Sequence, residues 1–347
     1  MFAPTRNDIN NILFIIHEGA QCSGQPWLAT TILFNIFYCE LYDYIFKTIF
    51  LCYNNLIKLI YMIIVTHNEK FHADEVFACA VLLLVFPKAE IMRSRNEDDF
   101  KKADIRVDVG EKNNPETLDF DHHQKGGAGF RDNGCPYASF GLVWKEFGSK
   151  ICGSKEAFEK VDRKLVQTID ALDFGYDFFT YSNIYPYTIS DMISAFNTSW
   201  EEENDSSDAF FELLKIAKKI IEREVIKANG ILNAKDFIEK AIKYSPSIQY
   251  LILEKNCPWK DVIKYDEDFL YVIFPSSSQK WMAQAVPERS KSFQNKKDFP
   301  EAWAGLRSEE LQKVTGVDDA LFCHPNKFIC AAGSKEGIIK MVELALE

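Results

Sequence analysis

No two cysteines in this 347-residue chain form a C-x-x-C pair, although there are nine of them. Thiolate zinc fingers and redox dithiols need that spacing, so neither is indicated. An odd number of thiols in a well-cored chain reads as free cysteine in a reducing compartment. Positive charge is also short. Lys and Arg number 40 against 51 Asp and Glu, a formal charge of −11. This argues against coating nucleic acid by bulk electrostatics. It leaves room for an enzyme with a local cationic groove, and it suits a protein that gathers divalent cations.

An uninterrupted apolar run of membrane length is missing too. Residues 27–66 are rich in Phe, Tyr, Ile and Leu, but Glu40, Asp43, Lys47 and Lys58 break them. Charge-free pieces such as 27–39 fall short of the ~20 residues a spanning helix needs, so no stable membrane span is expected. No basic segment precedes a small-residue cleavage site, so no signal peptide is expected. Residues 1–61 read as an N-terminal extension foreign to the natural protein, with Met62 as its true start. An interfacial helix and an extra packed helix are the other readings. The extension holds three basic and four acidic residues, so the remainder stays at −10.

The overall composition is ordinary for a globular fold, at 47% hydrophobic and 26% charged. Short apolar runs at 63–66, 90–94, 105–109 and 118–120 read as strands. Between and after them, 74–84, 97–102, 137–147 and 156–172 read as helical. Such alternation implies an α/β domain with a parallel sheet over 62–200. After an acidic linker at 198–208, a long helical stretch precedes strand-like segments at 248–253, 269–274, 281–286, 321–323 and 328–331. Residues 201–347 therefore read as a smaller α+β domain. No internal repeat or low-complexity tract is evident.

Histidine is scarcer still, at six residues, yet four fall in VTHNEKFHADE (65–75) and LDFDHHQ (118–124). His67 and His72 are five apart, which fails the H-E-x-x-H pattern of a zinc-protease helix. A loop after a strand can instead turn His67, His72 and Asp74 inward. Asp108 ends the third strand, and Asp121, His122 and His123 follow the fourth. Asp170 and Asp173 lie near the end of a later helix. In parallel sheets, ligands gather at the carboxyl ends of strands. Imidazole and carboxylate donors without thiolate suit Mn²⁺, Mg²⁺, Fe²⁺ or Zn²⁺, the carboxylates favouring Mn²⁺ or Mg²⁺. The donors suffice for two divalent cations bridged by Asp108, a clamp for in-line displacement at phosphorus. The plainer alternatives are that Asp74 caps the helix it precedes and that Asp121 makes an Asx-turn.

These residues resemble the DHH phosphoesterase superfamily, with DHH at 121–123. The likeness is closer to its melanocyte-proliferating-gene family of metal-dependent hydrolases, regarded as 3′–5′ RNA exonucleases. YASFGLVWKEFG (137–148), CPWK (257–260), QAVP (284–287) and FPEAWAGLRSEEL (299–311) extend the resemblance from about residue 63 to the end. The resemblance implies metal ligation by His67, His72, Asp74, Asp108, His122 and Asp173, with Asp170 as second choice. It implies that His123 faces phosphate and that Asp121 orients the loop or an imidazole. It implies a substrate contact for His324, while Arg289, Arg307 and Trp303 are weaker candidates. Glu69 replaces a family glycine, and Cys330 and Ala331 stand where a glycine-rich turn is expected.

The leading expectation is a two-metal phosphodiesterase, a 3′–5′ RNA exonuclease using Mn²⁺, with Mg²⁺ or Zn²⁺ as alternatives. A hydrolase of small phosphoesters or pyrophosphate is the second reading, and an inactive metal-binding regulatory module the third. The resemblance places the protein inside the cell, in nucleus, mitochondrion or cytoplasm, and homo-oligomerisation is compatible with it.

Overall fold

The computed structural model of the chain describes residues 62–176, 183, 185–202, 206–263, 268–276, 278, 280–290 and 292–347. The expected extension at 1–61 lies outside the described residues. Within them the architecture is mixed α/β, with one parallel-rich sheet and one mostly antiparallel sheet.

Strand β1 (Ile63–Thr66) is apolar and β-branched, which suits a strand covered on both faces. Helix α1 (Ala73–Val85) leads to β2 (Glu90–Arg93), and α2 (Glu97–Lys102) leads to β3 (Ile105–Val107). Both strands pair with β1 in parallel, one on each side. Next come β4 (Asn113–Asn114) and β5 (Asp119–Phe120). β5 continues the parallel pairing beside β3, while β4 closes the edge antiparallel. The sheet is thus parallel in four strands, and the short edge strand breaks the pattern expected from sequence.

Two expected strands are shorter because the backbone turns within them. The run 105–109 ends at Val107, since Asp108 has φ 56°, and the run 118–120 begins at Asp119, since Leu118 has φ 55°. Both residues adopt the left-handed region, which costs an L-residue about 1–2 kcal/mol.

Helix α1 is buried continuously from Ala73 to Leu82. It lies against α3 (Ser139–Cys152) and the long α7 (Ser207–Lys243). The single helix expected over 156–172 is two: α4 (Lys155–Val161) and α5 (Gln167–Asp173), joined by a wider π-turn over Asp162–Val166. Helix α6 (Ile189–Ser194) follows α5. Phe210 to Ala228 of α7 join the core of the first sheet, whereas Ala234 and Ile238 join a core beneath the second.

The second sheet holds β6 (Tyr250–Ile252), β7 (Tyr271–Pro275), β8 (Trp281–Ala285), β9 (Ala320–Cys323) and β10 (Ile329–Ala332). Their order is β6-β7-β8-β10-β9, with only β6–β7 parallel. Helices α8 (Ser308–Thr315) and α9 (Lys335–Leu346) complete the chain. Cys330 and Ala331, placed by resemblance in a turn, lie within β10, buried between β8 and β9. Their side chains fill core, so no glycine turn exists at these positions. Trp303 is buried and stacks on Phe299.

The packing of α3 against α5 constrains one position tightly. Asp170 of α5 is fully buried, accepts the Gly141 N–H at 2.9 Å, and lies 2.8 Å from Arg131 Nη2. A Cβ on Gly141 would stand 1.9 Å from Asp170 Oδ2 and 2.7 Å from Arg131 Nη2. Gly141→Ala should therefore destabilise the protein by about 3 kcal/mol or more, because it breaks a buried ion pair. Chemical denaturation of the variant checks this, and an unchanged midpoint would refute the pairing.

Candidate metal centre

The strand order places the site before any side chain is considered. The chain runs from β1 to β2 on one side, then crosses back to β3 on the other, so connections diverge between β1 and β3. At such a switch point the strand ends open a crevice. Register then aligns the candidates. Val65 opposes Arg106, and Val107 opposes Phe120. The residues just beyond, His67, Asp108 and Asp121, therefore emerge in a row at the carboxyl edge.

Three overlapping groups of donors lie there, each with one ligand atom per residue within 4.8 Å of the others. The first is His67, His72, Glu75 and Asp108. The second is Asp108, His122 and His123, and the third is Asp74, His122 and Asp173. Asp108 belongs to two groups, as does His122. His67 Nε2 lies 3.1 Å from Glu75 Oε1 and 3.3 Å from Asp108 Oδ2. Its Nδ1 is 3.0 Å from the Asn68 carbonyl. An Nδ1–H donated there fixes the tautomer and leaves Nε2 as the donor to a cation. His122 Nε2 is 3.4 Å from Asp173 Oδ2.

Asp74 and Asp170 share a second task at the start of α3. The residue before that helix is Ala138, which has no side chain to cap it. Asp74 accepts the Ser139 and Phe140 N–H groups at 3.0 and 2.7 Å, and Asp170 accepts that of Gly141. Helix N-termini favour negative charge, so both carboxylates are stabilised there. The local capping expected for Asp74 is thus replaced by capping of a helix 65 residues away. Asp74 remains 3.9 Å from His122 Nδ1, but Asp170 turns to Arg131 and falls outside all three groups. Asp170, with Oδ1 accepting the Gly141 N–H and Oδ2 paired with Arg131, thus stands apart from the donors it was expected to join.

Asp121 accepts the His123 backbone N–H at 3.0 Å, as an Asx-turn would. It also lies 2.8 Å from His123 Nδ1 and accepts the Glu111 N–H at 2.7 Å. It positions the His123 ring, whose side chain is 57% exposed and lines the cleft. Asp108 accepts from Ser139 Oγ at 3.0 Å while holding its left-handed backbone.

Electrostatics show a site poised for cations. Burial, followed by the charges of Asp173 and Asp108, pushes the Asp74 carboxyl well above its ordinary range. Burial, with Asp108 and Glu75, pushes Asp173 up to about 7. Burial opposes charging of His67, yet Asp108 and Glu75 outweigh it and raise the imidazole to about 10. His123 rises to about 10 chiefly through Asp108 and Asp121. Burial would raise Asp108, but His123 and His67 hold it well below the usual range. His122 is lowered by burial. Two buried atoms of the cluster, Glu75 Oε2 and His122 Nδ1, have no hydrogen-bond partner among the described residues. Burying such atoms unpaired is costly, so their orientation into the cluster fits a coordinated cation. The all-N/O donor set fits Mn²⁺, Mg²⁺, Fe²⁺ or Zn²⁺.

Glu75 escaped the reading of the sequence, although it closes the segment 65–75 and stands three residues after His72. Its helical spacing and its position next to Asp74 were the available signal. Arg95 was also missed. It lines a cleft of about 740 Å³ with His67, His72, Asp108 and His123. A second hollow of about 350 Å³ meets the cluster at His122 and Asp173. His324, Arg289 and Arg307 line neither space. His324 sits in the β9–β10 turn, its Nδ1 accepting the Asn326 N–H at 3.0 Å. Arg289 is exposed, and Arg307 lies over the Phe322 ring at 5.8 Å. The structure therefore does not join these three to the cluster. Glu69 keeps a conformation that suits glycine, with φ 67°, while its carbonyl accepts Arg93 Nη2–H at 2.6 Å. The carboxylate is exposed and belongs to no donor group among the described residues.

Comparison with known proteins adds an independent line. A family model named for MYG1 exonuclease and described as "Uncharacterised protein family (UPF0160)" matches residues 63–346. MYG1 exonuclease of Mus musculus is 30% identical over 81% of this chain and 84% of its own length. A MYG1 protein of Caenorhabditis elegans is 32% identical over 81% and 94%, respectively. One from Saccharomyces cerevisiae is 31% identical over 82% and 95%. No solved structure matches the chain.

The raised groups determine how metal-free stability varies with pH. Asp170, also pushed up to about 7 by burial, and Asp173 bind protons more tightly folded than unfolded. Their contribution is lost as pH rises through about 7, and that of His67 and His123 as it rises through about 10. His122 acts in the opposite sense at the acidic end of this range. Melting temperature in EDTA should fall from about pH 6 to about pH 9, and Mn²⁺ should restore it most at the alkaline end. A metal-free melting temperature that climbs over this interval would contradict the cluster's electrostatics.

Proposed function

The chain belongs to the MYG1 exonuclease family over residues 63–346, and from that premise we propose that it is a divalent-metal-dependent 3′–5′ exoribonuclease. The observation that carries this reading is the largely buried set of donors at the switch point, in which Asp108 is shared by a group with His67, His72 and Glu75 and by a group with His122 and His123. In this reading one cation would be held by His67, His72, Glu75 and Asp108. The other would be held by Asp74, His122 and Asp173, with His122 also shared by the group that contains Asp108. Cations so placed supply Lewis acidity to a phosphoryl oxygen and make water nucleophilic near neutral pH.

The chain's own groups do the rest. His123, whose Nδ1 lies 2.8 Å from Asp121 and 3.3 Å from Asp108, turns its exposed ring toward the cleft and donates to a phosphoryl oxygen as negative charge develops. Asp121 fixes the ring through Nδ1, which leaves Nε2 for substrate. Arg95 makes no ion pair among the described residues and brings a guanidinium to an otherwise acidic cleft, where Glu97 and Glu111 also line the wall. Guanidinium suits bidentate contact with a phosphate. Hydrolysis of small phosphoesters or pyrophosphate is the second reading, favoured by the −10 charge of residues 62–347.

The test uses the full chain, Mn²⁺ and a 5′-labelled short RNA. The expected product is a ladder shortened from the 3′ end. Glu75→Gln should lower metal affinity at least about tenfold, as loss of a metal-site partner does. RNA left intact by protein that binds Mn²⁺ stoichiometrically would sink the exonuclease assignment.

A further inference from the structure

The loop that carries His67 and His72, between β1 and α1, is held from outside the donor cluster. Arg93 of β2 donates to the His67 and Glu69 carbonyls at 3.3 and 2.6 Å, and Ser206 Oγ donates to that of Glu69 at 3.3 Å. At the other end of the loop Asn197, 126 residues away in the chain, brackets Phe71. Its Oδ1 accepts the Phe71 N–H at 2.9 Å, and its Nδ2 donates to the Phe71 carbonyl at 2.8 Å. A neighbouring strand would make the same two bonds. Asn197 is itself anchored just beyond α6, its N–H donating to the Ser194 carbonyl at 3.1 Å. Ser194 in turn lines the hollow that meets His122 and Asp173.

His72 depends most on this arrangement. It follows Phe71 directly, and its side chain is 59% exposed, with Nδ1 3.9 Å from Glu75 Oε2. That separation is too long for a hydrogen bond. The place of the ring among the donors is therefore set by the backbone on either side. Helix α1 fixes one side, and Phe71 the other. Resting on the reading of the cluster as a metal centre, we propose that Asn197 is a positioning residue: its amide locks the Phe71 backbone and so directs His72 into the group with His67, Glu75 and Asp108. Groups that orient metal ligands shape affinity nearly as strongly as the ligands themselves. The competing account is that Asn197 only satisfies the peptide groups of Phe71, which is fully buried.

Mn²⁺ affinity of the full chain separates the two, read by electron paramagnetic resonance of the unbound ion with no substrate present. Asn197→Ala should weaken one class of sites about tenfold, the scale of a lost metal-site partner. His72→Ala should weaken the same class. Adding Asn197→Ala to it should cost less than about twofold more, because both changes remove one arrangement. Asn197→Asp is the same size and keeps the acceptor while losing the donor. It should show a smaller loss with the same dependence on His72, and it covers the case in which Asn197→Ala fails to fold. Unchanged affinity in the Asn197 variants, with only a lower melting temperature in EDTA, would overturn the positioning role. Losses that multiply with that of His72→Ala would overturn it too, and either result would leave the metal centre standing. Wild type that takes up no Mn²⁺ would overturn both. The expected coupling together with no RNA shortening would keep the positioning role and discard the exonuclease.

Discussion

The carboxylates buried at the ends of β1, β3 and β5 are the constraint on which the rest depends. Asp74, Glu75, Asp108, Asp121 and Asp170 are all removed from water in one small volume. Isolated buried charge is prohibitively expensive, so each needs a partner. Arg131 serves Asp170, backbone N–H groups serve Asp74 and Asp121, and imidazoles serve Asp108. Glu75 Oε2 and His122 Nδ1 are left over, and the carboxyls of Asp74 and Asp173 are pushed upward. A site that is electrostatically incomplete with protein groups alone is suited to cations.

The N-terminus of α3 links this site to the scaffold. Its first N–H groups have no local cap, and carboxylates from α1 and α5 supply one. Ser139 at the same terminus also donates to Asp108. One helix end thus orients three acids, two of them in the donor groups. Stability and site geometry are coupled there, and small residues such as Gly141 are required by the closeness of the carboxylates.

Much of this was legible in the sequence. The alternation of strands and helices, the positions of His67, Asp108 and His122, and the Asp121 turn follow from period, punctuation and scarcity of histidine. Other features were not. Glu75 looks like any helix-start acid until His67 Nε2 is seen 3.1 Å away. Asp170 and Asp173 occupy the same helix three residues apart, and only the location of Arg131 separates them. Arg131 lies in a glycine-rich loop, where periodicity carries no information about direction. The strand boundaries moved because Asp108 and Leu118 take left-handed backbone, which composition does not reveal.

The sequence by itself determined which residues could carry the chemistry and that strand ends would present them, because donor types and hydrophobic period are local properties. It also carried the family, through separate motifs in a consistent order. Only the tertiary structure decided which donors converge. It grouped Glu75 with His67 and Asp173 with His122, turned Asp170 away to Arg131, and left His324 outside the cleft. Coordination and ion pairing are set by distances of a few ångströms between residues far apart in the chain. Those distances come from sheet register and helix packing, which no short stretch of sequence contains.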